Sequence, residues 1–126
     1  MTEVVIEVEN RSGVPVDAPG ARQLALEVLA AERVTSGDLG IAFVGPDEIR
    51  RLKQEHLGID EATDVLSFPI DGTSELPSDL PRQLGDVVIC PQVVADEWRR
   101  PLVHGLLHLL GYDHGTAMSE LEEAYL

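Results

Sequence analysis

Three of the chain's four histidines fall within residues 104–114, where the sequence reads HGLLHLLGYDH. The spacing is H-x-x-x-H-x-x-G-x-x-H, the ligand pattern of a three-histidine zinc site. His104 and His108 are four residues apart, so on a helix both side chains project from one face. Gly111 suits the end of a helix, where the capping residue adopts a left-handed backbone conformation. The chain can then reverse and bring the third histidine toward the same metal ion. The sequence therefore predicts one Zn²⁺ with His104, His108 and His114 as protein ligands and water in the fourth position.

An alternative interpretation is that these histidines are ordinary core residues. Leucines and a valine surround them on nearly every side of the predicted helix, which is therefore expected to lie at the centre of the fold. Burying several imidazoles without partners costs about 1–3 kcal/mol each. Because a shared metal ion removes that cost, the metal-site interpretation is preferred.

The residue after the first histidine separates the possible chemistries. A zinc protease carries glutamate there as the general base, whereas this chain has Gly105. Peptide hydrolysis by the usual route is therefore not expected, although zinc also polarises phosphoryl oxygens and lowers the pKa of bound water. Asp113 is the nearest candidate for a general base. Its alternative roles are a hydrogen-bond acceptor for a ligand imidazole and a surface turn residue.

Composition narrows the class of protein. The 126 residues predict a single domain spanning residues 1–126. Cys90 is the single cysteine and suits a reducing cytoplasm; it is expected to be a buried small residue, with a fourth metal ligand as the less favoured alternative. The start of the chain does not resemble a signal peptide, and no apolar run approaches the roughly 18 residues of a membrane span. The net charge of −14 argues against a general nucleic-acid binder, and no DNA partner is expected.

Hydrophobic periodicity and turn residues predict the order of the elements. That order indicates an α+β (mixed α/β) fold, in which helices pack on a small mixed four-stranded sheet. The histidine spacing predicts that one of these helices is a metzincin-like three-histidine zinc helix. Gly37 and Gly40 are interpreted as a turn, as are Pro19 and Gly20. The predicted strands are residues 4–8, 41–44, 64–68 and 86–90, and the predicted helices are residues 21–33 and 47–57, a helix opening at Pro91, the zinc helix from Pro101, and residues 118–125.

With these segments in view, the chain resembles the YbeY family of zinc-dependent rRNA endoribonucleases. The HGLLHLLGYDH stretch is nearly the family signature, and TDVLSFP at residues 63–69 and LGDVVI at residues 84–89 agree with it in order. The resemblance implies a cleft in which the three histidines hold zinc, with Ser67 and Asp86 close to it. It also implies cytoplasmic work on ribosomal RNA, comprising rRNA maturation, small-subunit assembly and ribosome quality control.

Two departures from the family pattern affect substrate binding. Many members carry a Tyr-Arg pair before the TDVLSFP segment, where this chain has His56 and Leu57. Leucine does not replace a guanidinium, so His56 is a candidate substrate contact. The segment before the zinc helix is also shorter than usual, which makes Arg99 and Arg100 candidate substrate contacts close to the metal. Solvated surface is the alternative role for each of these residues.

The leading hypothesis is a metal-dependent, single-strand-type endoribonuclease whose partners are ribosomal RNA and the small ribosomal subunit. Water or the neighbouring 2′-hydroxyl is the nucleophile. Asp113 is the candidate base, and a metal-bound hydroxide is the alternative acceptor of the 2′-hydroxyl proton. The second hypothesis is a non-catalytic, zinc-stabilised assembly factor that binds RNA or a ribosomal protein. The third is a metallohydrolase of peptides or small molecules, against which Gly105 argues. The sequence contains no signal for an oligomeric state.

Overall fold

The computed structural model describes residues 3–59, 63–71, 82–112 and 115–126. Strands and helices follow one another in an order that confirms the predicted α+β class, with helices packed on a mixed sheet. No helix within these ranges is long and apolar enough to cross a membrane. The elements are β1 (Glu3–Asn10), α1 (Ala18–Ala31), β2 (Ser36–Phe43), α2 (Pro46–Leu57), β3 (Val65–Pro69), β4 (Gln83–Ile89), α3 (Pro91–Val94), α4 (Arg99–Leu109) and α5 (Thr116–Ala124).

The four strands form one sheet in the order β1-β2-β4-β3. β1 and β2 are parallel, because the crossover through α1 returns the chain to the same end of the sheet. β2 and β4 are also parallel, and the connection between them contains α2 and β3. β3 runs antiparallel to β4, and Ser67 pairs with Val87. β3 is one of the two edge strands, and the predicted zinc helix α4 packs on the sheet beside it.

The two faces of the sheet carry separate cores. Val87 belongs to the larger core, which α1 and α4 cover, whereas its neighbour Val88 belongs to a smaller core beneath α2. Consecutive residues of a strand point to opposite faces, which explains the division. Cys90 is fully buried in the smaller core, as the sequence predicts.

β2 begins earlier than predicted, and the interpretation of Gly37 and Gly40 as a turn is wrong. Both glycines lie within the eight-residue strand. Gly37 has a φ of 139°, a conformation that side chains rarely adopt. A Cβ atom on Gly40 would lie 2.1 Å from Oδ1 of Asp86. Within the strand, Gly37 therefore permits an unusual backbone conformation, and Gly40 permits close packing against Asp86.

Four helices also begin one to three residues earlier than predicted, as α1 and α4 illustrate. α1 begins at Ala18, so Pro19 lies in its first turn, and the side chain of Asp17 accepts a hydrogen bond from the N–H of Gly20 at 3.0 Å. α4 begins at Arg99, two residues before the proline that was expected to open it. Proline is tolerated here because the first N–H groups of a helix have no intrahelical partner.

Candidate metal centre and cleft

The two histidines on α4 lie on the exposed side of a helix whose other residues from Pro101 onward are buried. Both are half-buried, whereas the leucines and the valine of this helix are buried, as expected for a central helix. His104 and His108 are one helical turn apart, so the same face presents both rings. The packing of α4 on the sheet therefore directs both imidazoles away from the core.

Gly105 is the point of closest approach between α4 and the sheet. A Cβ atom there would lie 2.7 Å from Cγ1 of Val87 and 3.1 Å from Oγ of Ser67. The hydroxyl of Ser67 also donates a hydrogen bond to the carbonyl of Gly105 at 3.0 Å. The position that carries glutamate in zinc proteases thus faces the sheet in this protein, where the packing leaves no room for a side chain.

The geometry of the histidine pair fits a shared metal ion. The two Nε2 atoms are 3.1 Å apart, and the rings meet edge to face with centroids 4.6 Å apart. Two nitrogens that each lie 2.0–2.1 Å from one tetrahedral ion are separated by about 3.3 Å. Small movements of the two rings would therefore bring both nitrogens to zinc–ligand distance.

The turn after α4 orients one of these rings. Gly111 has a φ of 98° and donates its N–H to the carbonyl of His108, while the N–H of Tyr112 donates to the carbonyl of Leu107. This pair of bonds is a Schellman motif, which confirms the predicted glycine C-cap. The turn brings the carbonyl oxygen of Tyr112 to 2.9 Å from Nδ1 of His108. A carbonyl can only accept, so Nδ1 carries the proton and Nε2 keeps its lone pair for a metal.

The histidine pair lies on the wall of a cleft of about 910 Å³. α4 and Glu122 of α5 form one wall, the C-terminal end of α2 forms the opposite wall, and residues 63–69 line the cleft between them. Its described lining comprises Lys53, His56, Leu57, Thr63, Asp64, Val65, Leu66, Ser67, Phe68, Pro69, Arg100, Pro101, His104, His108, Gly111, Tyr112 and Glu122.

Comparison with known proteins identifies the family. The family model described as Endoribonuclease YbeY matches residues 7–125. The chain belongs to the YbeY family. The Endoribonuclease YbeY of Halorhodospira halophila is 36% identical, with coverage of 98% of this chain and 88% of that protein. The Endoribonuclease YbeY of Chloroflexus aurantiacus is 39% identical, with coverage of 91% and 84%.

A solved structure agrees with the fold of this YbeY-family chain. The solution structure of TM1509 from Thermotoga maritima is similar with a TM-score of 0.57 and 26% sequence identity. The similarity covers 96% of this chain and 86% of that chain. The mixed sheet with packed helices is thus shared over nearly the whole length of the protein.

Two of the residues predicted at the metal centre lie outside the described residues. These are the third predicted zinc ligand, His114, and the candidate base, Asp113. Within the described ranges, no group of three or more metal-binding side chains comes together. Of the three predicted zinc ligands, the structure therefore describes His104 and His108, and the metal-binding role of all three histidines and the role of Asp113 stay predictions.

The predicted substrate contacts occupy different places. His56 lines the cleft, with its ring centroid 4.8 Å from that of Phe68. Arg100 also lines the cleft, and its guanidinium contacts Glu123 at 2.7 Å and Glu122 at 4.0 Å. Arg99 stacks over the ring of Trp98 at 4.7 Å and is absent from the described lining of the cleft. The adjacent arginines thus differ in access to the site.

The expected proximity of Asp86 to the cleft is wrong. Its side chain lies beside Gly40, on the sheet face opposite α4, because its neighbour Val87 already points toward that helix. Ser67, in contrast, lines the cleft as expected. Cys90, considered as a fourth ligand, lies in the core beneath α2 and is not among the described cleft residues.

Sequence reasoning missed Glu122 as a residue of the site. Its side chain is only 14% exposed, and Oε1 lies 3.6 Å from Nδ1 of His104. Helical spacing could have indicated its position, since Glu122 follows the buried Met118 by four residues and shares its face of α5.

A second polar cluster behind the turn was also missed. The hydroxyl of Tyr112 donates to Oε1 of Glu32 at 2.7 Å, and the hydroxyl of Tyr125 donates to Oε2. The bond to Glu32 raises the pKa of Tyr112, whereas burial, reinforced by Glu32, raises the pKa of Tyr125 to about 12. Both phenols therefore remain protonated donors at neutral pH. The three residues come from distant parts of the chain, and their spacing carries no signal.

Proposed function

We propose that this protein is a zinc-dependent, single-strand-type endoribonuclease that acts on ribosomal RNA in the cytoplasm. The observation that carries the proposal is the pair of Nε2 atoms of His104 and His108, 3.1 Å apart on the wall of a large cleft. Membership of the YbeY family supports the choice of RNA as substrate. The proposed cellular roles of the protein are rRNA maturation, small-subunit assembly and ribosome quality control.

The proposed ligands are His104, His108 and His114, with water completing the coordination of one Zn²⁺. Zinc bound there supplies Lewis acidity, which polarises a phosphoryl oxygen and lowers the pKa of bound water. The carbonyl of Tyr112 holds the proton of His108 on Nδ1 and leaves Nε2 available to the cleft. The carboxylate of Glu122 lies beside Nδ1 of His104. Its negative charge favours an orientation in which Nδ1 of His104 faces Glu122 and Nε2 faces the cleft.

The remaining lining of the cleft suits a single RNA strand. Lys53 and Arg100 place cationic side chains at the cleft to meet the phosphate backbone, in a protein that is otherwise acidic. His56 and Phe68 add two adjacent rings, on which an unstacked base can pack. Bases of a duplex are already stacked on one another, so a loop or single-stranded region is the preferred substrate.

Asp113 is the proposed acceptor of the proton from the nucleophile. If water attacks, the proton leaves that water, the bond from phosphorus to the leaving ribose oxygen breaks, and that oxygen departs as a hydroxyl, so the product is a simple hydrolytic end. If the neighbouring 2′-hydroxyl attacks, its proton is removed as the 2′-oxygen bonds to phosphorus. The bond from phosphorus to the 5′-oxygen of the next nucleotide then breaks, that oxygen takes up a proton, and the product carries a 2′,3′-cyclic phosphate. Analysis of the end groups of the cleaved RNA distinguishes the two routes.

Cleavage of purified rRNA by zinc-loaded protein tests the function, with His114→Ala purified in parallel as the control for contaminating nuclease. We expect cleavage by the wild type alone. No cleavage by either preparation, with zinc confirmed in the wild type, would contradict the enzyme and favour a zinc-stabilised ribosome-assembly factor. A peptidase activity that disappears in His108→Ala would instead indicate a metallohydrolase with another substrate.

A further inference from the structure

Glu32 stands at the end of α1 with its backbone anchored in the helix. It is the C-cap residue, and its N–H donates to the carbonyl of Val28 at 2.9 Å. Its side chain is half-buried and reaches two phenols at once. Because the backbone of Glu32 is fixed by the helix, its carboxylate can hold the two tyrosines in place through these hydrogen bonds.

Each oxygen of this carboxylate accepts one hydrogen bond from a different part of the chain. Tyr112 lies in the turn after α4, and Tyr125 is the C-cap residue of α5. The two bonds therefore join the ends of α1 and α5 to the turn that follows the zinc helix. Hydrogen bonds to an ionised acceptor are roughly twice as strong as neutral ones, so the junction is tighter than two ordinary contacts.

Tyr112 is held at three points. Its hydroxyl is bound by Glu32, its N–H donates to the carbonyl of Leu107 at 3.0 Å, and its carbonyl accepts from Nδ1 of His108 at 2.9 Å. A rotation of the residue would break the last of these bonds. The orientation of the His108 ring therefore depends on a bond made outside the cleft.

We propose that Glu32 is a positioning residue for the metal centre: by holding the hydroxyl of Tyr112, it maintains the carbonyl that fixes the orientation and tautomer of His108. The inference rests on the proposed metal site and extends it to the C-cap residue of α1, which belongs to none of the sequence motifs. The network runs from Glu32 through Tyr112 to Nδ1 of His108 and leaves Nε2 directed at the cleft.

Tyr125 provides a matched control within the same cluster. It bonds the other oxygen of Glu32, while its backbone N–H donates to Leu121 within α5. Tyr125→Phe therefore removes one hydrogen bond from the cluster without touching the turn. Tyr112→Phe removes one hydrogen bond of the same kind while retaining the ring, the N–H and the carbonyl.

Two measurements test the proposal. The ¹⁵N chemical shifts of His108 in the metal-free protein report its tautomer, and titration with Co²⁺, followed by visible absorption, reports the affinity of the site. The wild type is expected to hold the Nδ1–H tautomer. Tyr112→Phe and Glu32→Ala are expected to populate both tautomers and to weaken Co²⁺ binding about 3- to 10-fold, less than the 10- to 100-fold typical of direct outer-shell partners. Glu32→Gln retains an acceptor oxygen and is expected to restore most of the affinity, and Tyr125→Phe should stay within about twofold of wild type.

The opposite pattern would overturn the proposal. If Tyr112→Phe lowers the melting temperature as Tyr125→Phe does but leaves the tautomer and the Co²⁺ affinity unchanged, the cluster is only structural. If Glu32→Ala fails to fold, the tautomer and Co²⁺ affinity of Tyr112→Phe and Glu32→Gln decide whether Glu32 positions His108. Absence of Co²⁺ binding in the wild type would refute the proposed metal centre, while the tautomer of the metal-free protein would still decide the role of Glu32.

Discussion

The two walls of the cleft are built in different ways. On the α4 wall, Gly105 is pressed against the sheet and His108 is oriented by the carbonyl of Tyr112. On the α2 wall, His56 is exposed and Leu57 keeps 59% of its surface accessible. In α2, all of which the structure describes, Ile49 is the one fully buried side chain.

For the proposed metal-dependent endoribonuclease, this difference implies separate roles for the two walls. A metal centre requires ligand atoms held to within a fraction of an ångström, which packing and secondary hydrogen bonds provide on the α4 wall. A flexible RNA strand requires accessible rings and charges, which the α2 wall and Arg100 provide. Substitutions on the α4 wall should therefore affect metal and stability, whereas those on the α2 wall should affect RNA affinity.

The largest effect is expected for His108→Ala. Loss of a ligand removes metal and activity, and it also removes the free energy that metal binding adds to folding, about 4 kcal/mol when free metal exceeds its Kd a thousandfold. Thermal unfolding of both proteins in the presence of zinc measures this loss. Equal melting temperatures for zinc-loaded wild type and variant would contradict a metal ligand at this position.

Gly105→Ala tests whether close packing, rather than chemistry, requires glycine on the α4 wall. The added Cβ would lie 2.7 Å from Cγ1 of Val87, and overpacking of this kind costs about 1–3 kcal/mol. Alanine has a higher helix propensity than glycine, which stabilises the helix by about 1 kcal/mol. Because the overpacking is expected to cost more than this gain, urea unfolding should show a net loss of stability. In a Val87→Ala background, the same change should become neutral or stabilising. Stabilisation of the otherwise unchanged protein would show that the contact is unimportant.

His56→Ala should weaken RNA binding without affecting the metal. Stacking of a base on an aromatic ring is worth about 1–3 kcal/mol, and the lower end suits an exposed ring, which gives a loss of about fivefold in affinity. Fluorescence anisotropy with a single-stranded oligonucleotide measures it. An oligonucleotide with abasic positions should show no difference between variant and wild type, and an equal loss for both oligonucleotides would exclude stacking.

Arg100→Gln and Arg99→Gln form a pair of adjacent substitutions with different expected effects. Arg100 lines the cleft, whereas Arg99 stacks on Trp98. If Arg100 contacts a phosphate, its loss should reduce the slope of log affinity against log salt by about 0.7, the value for one contact with a single strand. Arg99→Gln should leave the slope unchanged. Equal slopes in both variants and the wild type would refute the contact.

The smallest effect concerns the ion pair that holds the first turn of α2. Nε and Nη2 of Arg11 donate to Oε2 of Glu48, and this bonding lowers the pKa of the Glu48 carboxyl. Stability from a lowered carboxyl pKa is present above the unfolded-state value and is lost as pH falls through the folded-state pKa. Glu48→Gln should therefore cost at most about 1 kcal/mol at pH 7 and nothing once the wild-type carboxylate is protonated. Urea unfolding at a series of pH values from 7 downward measures the difference, which should shrink as the wild-type carboxylate becomes protonated.

Local patterns predicted much of the fold and part of the site. Alternating residues in β1 and helical spacing in α2 identified their elements, and Gly111 identified the end of α4. Gly37 and Gly40 were misinterpreted because glycine marks a turn in sequence, whereas here it serves contacts with a neighbouring strand. Asp86 was misplaced because the face of a strand that meets a given helix is decided by sheet packing.

By itself, the sequence determined the spacing of His104 and His108 on one helical face, the glycine that ends their helix, and the family to which the chain belongs. These features depend on residues close together in the chain or on a match of residue types. The tertiary structure decided that Glu122 lies beside His104, that Glu32 binds Tyr112 and Tyr125, and that Arg100 lines the cleft while Arg99 does not. Such contacts join residues up to 93 positions apart, and their geometry follows from how the helices pack on the sheet.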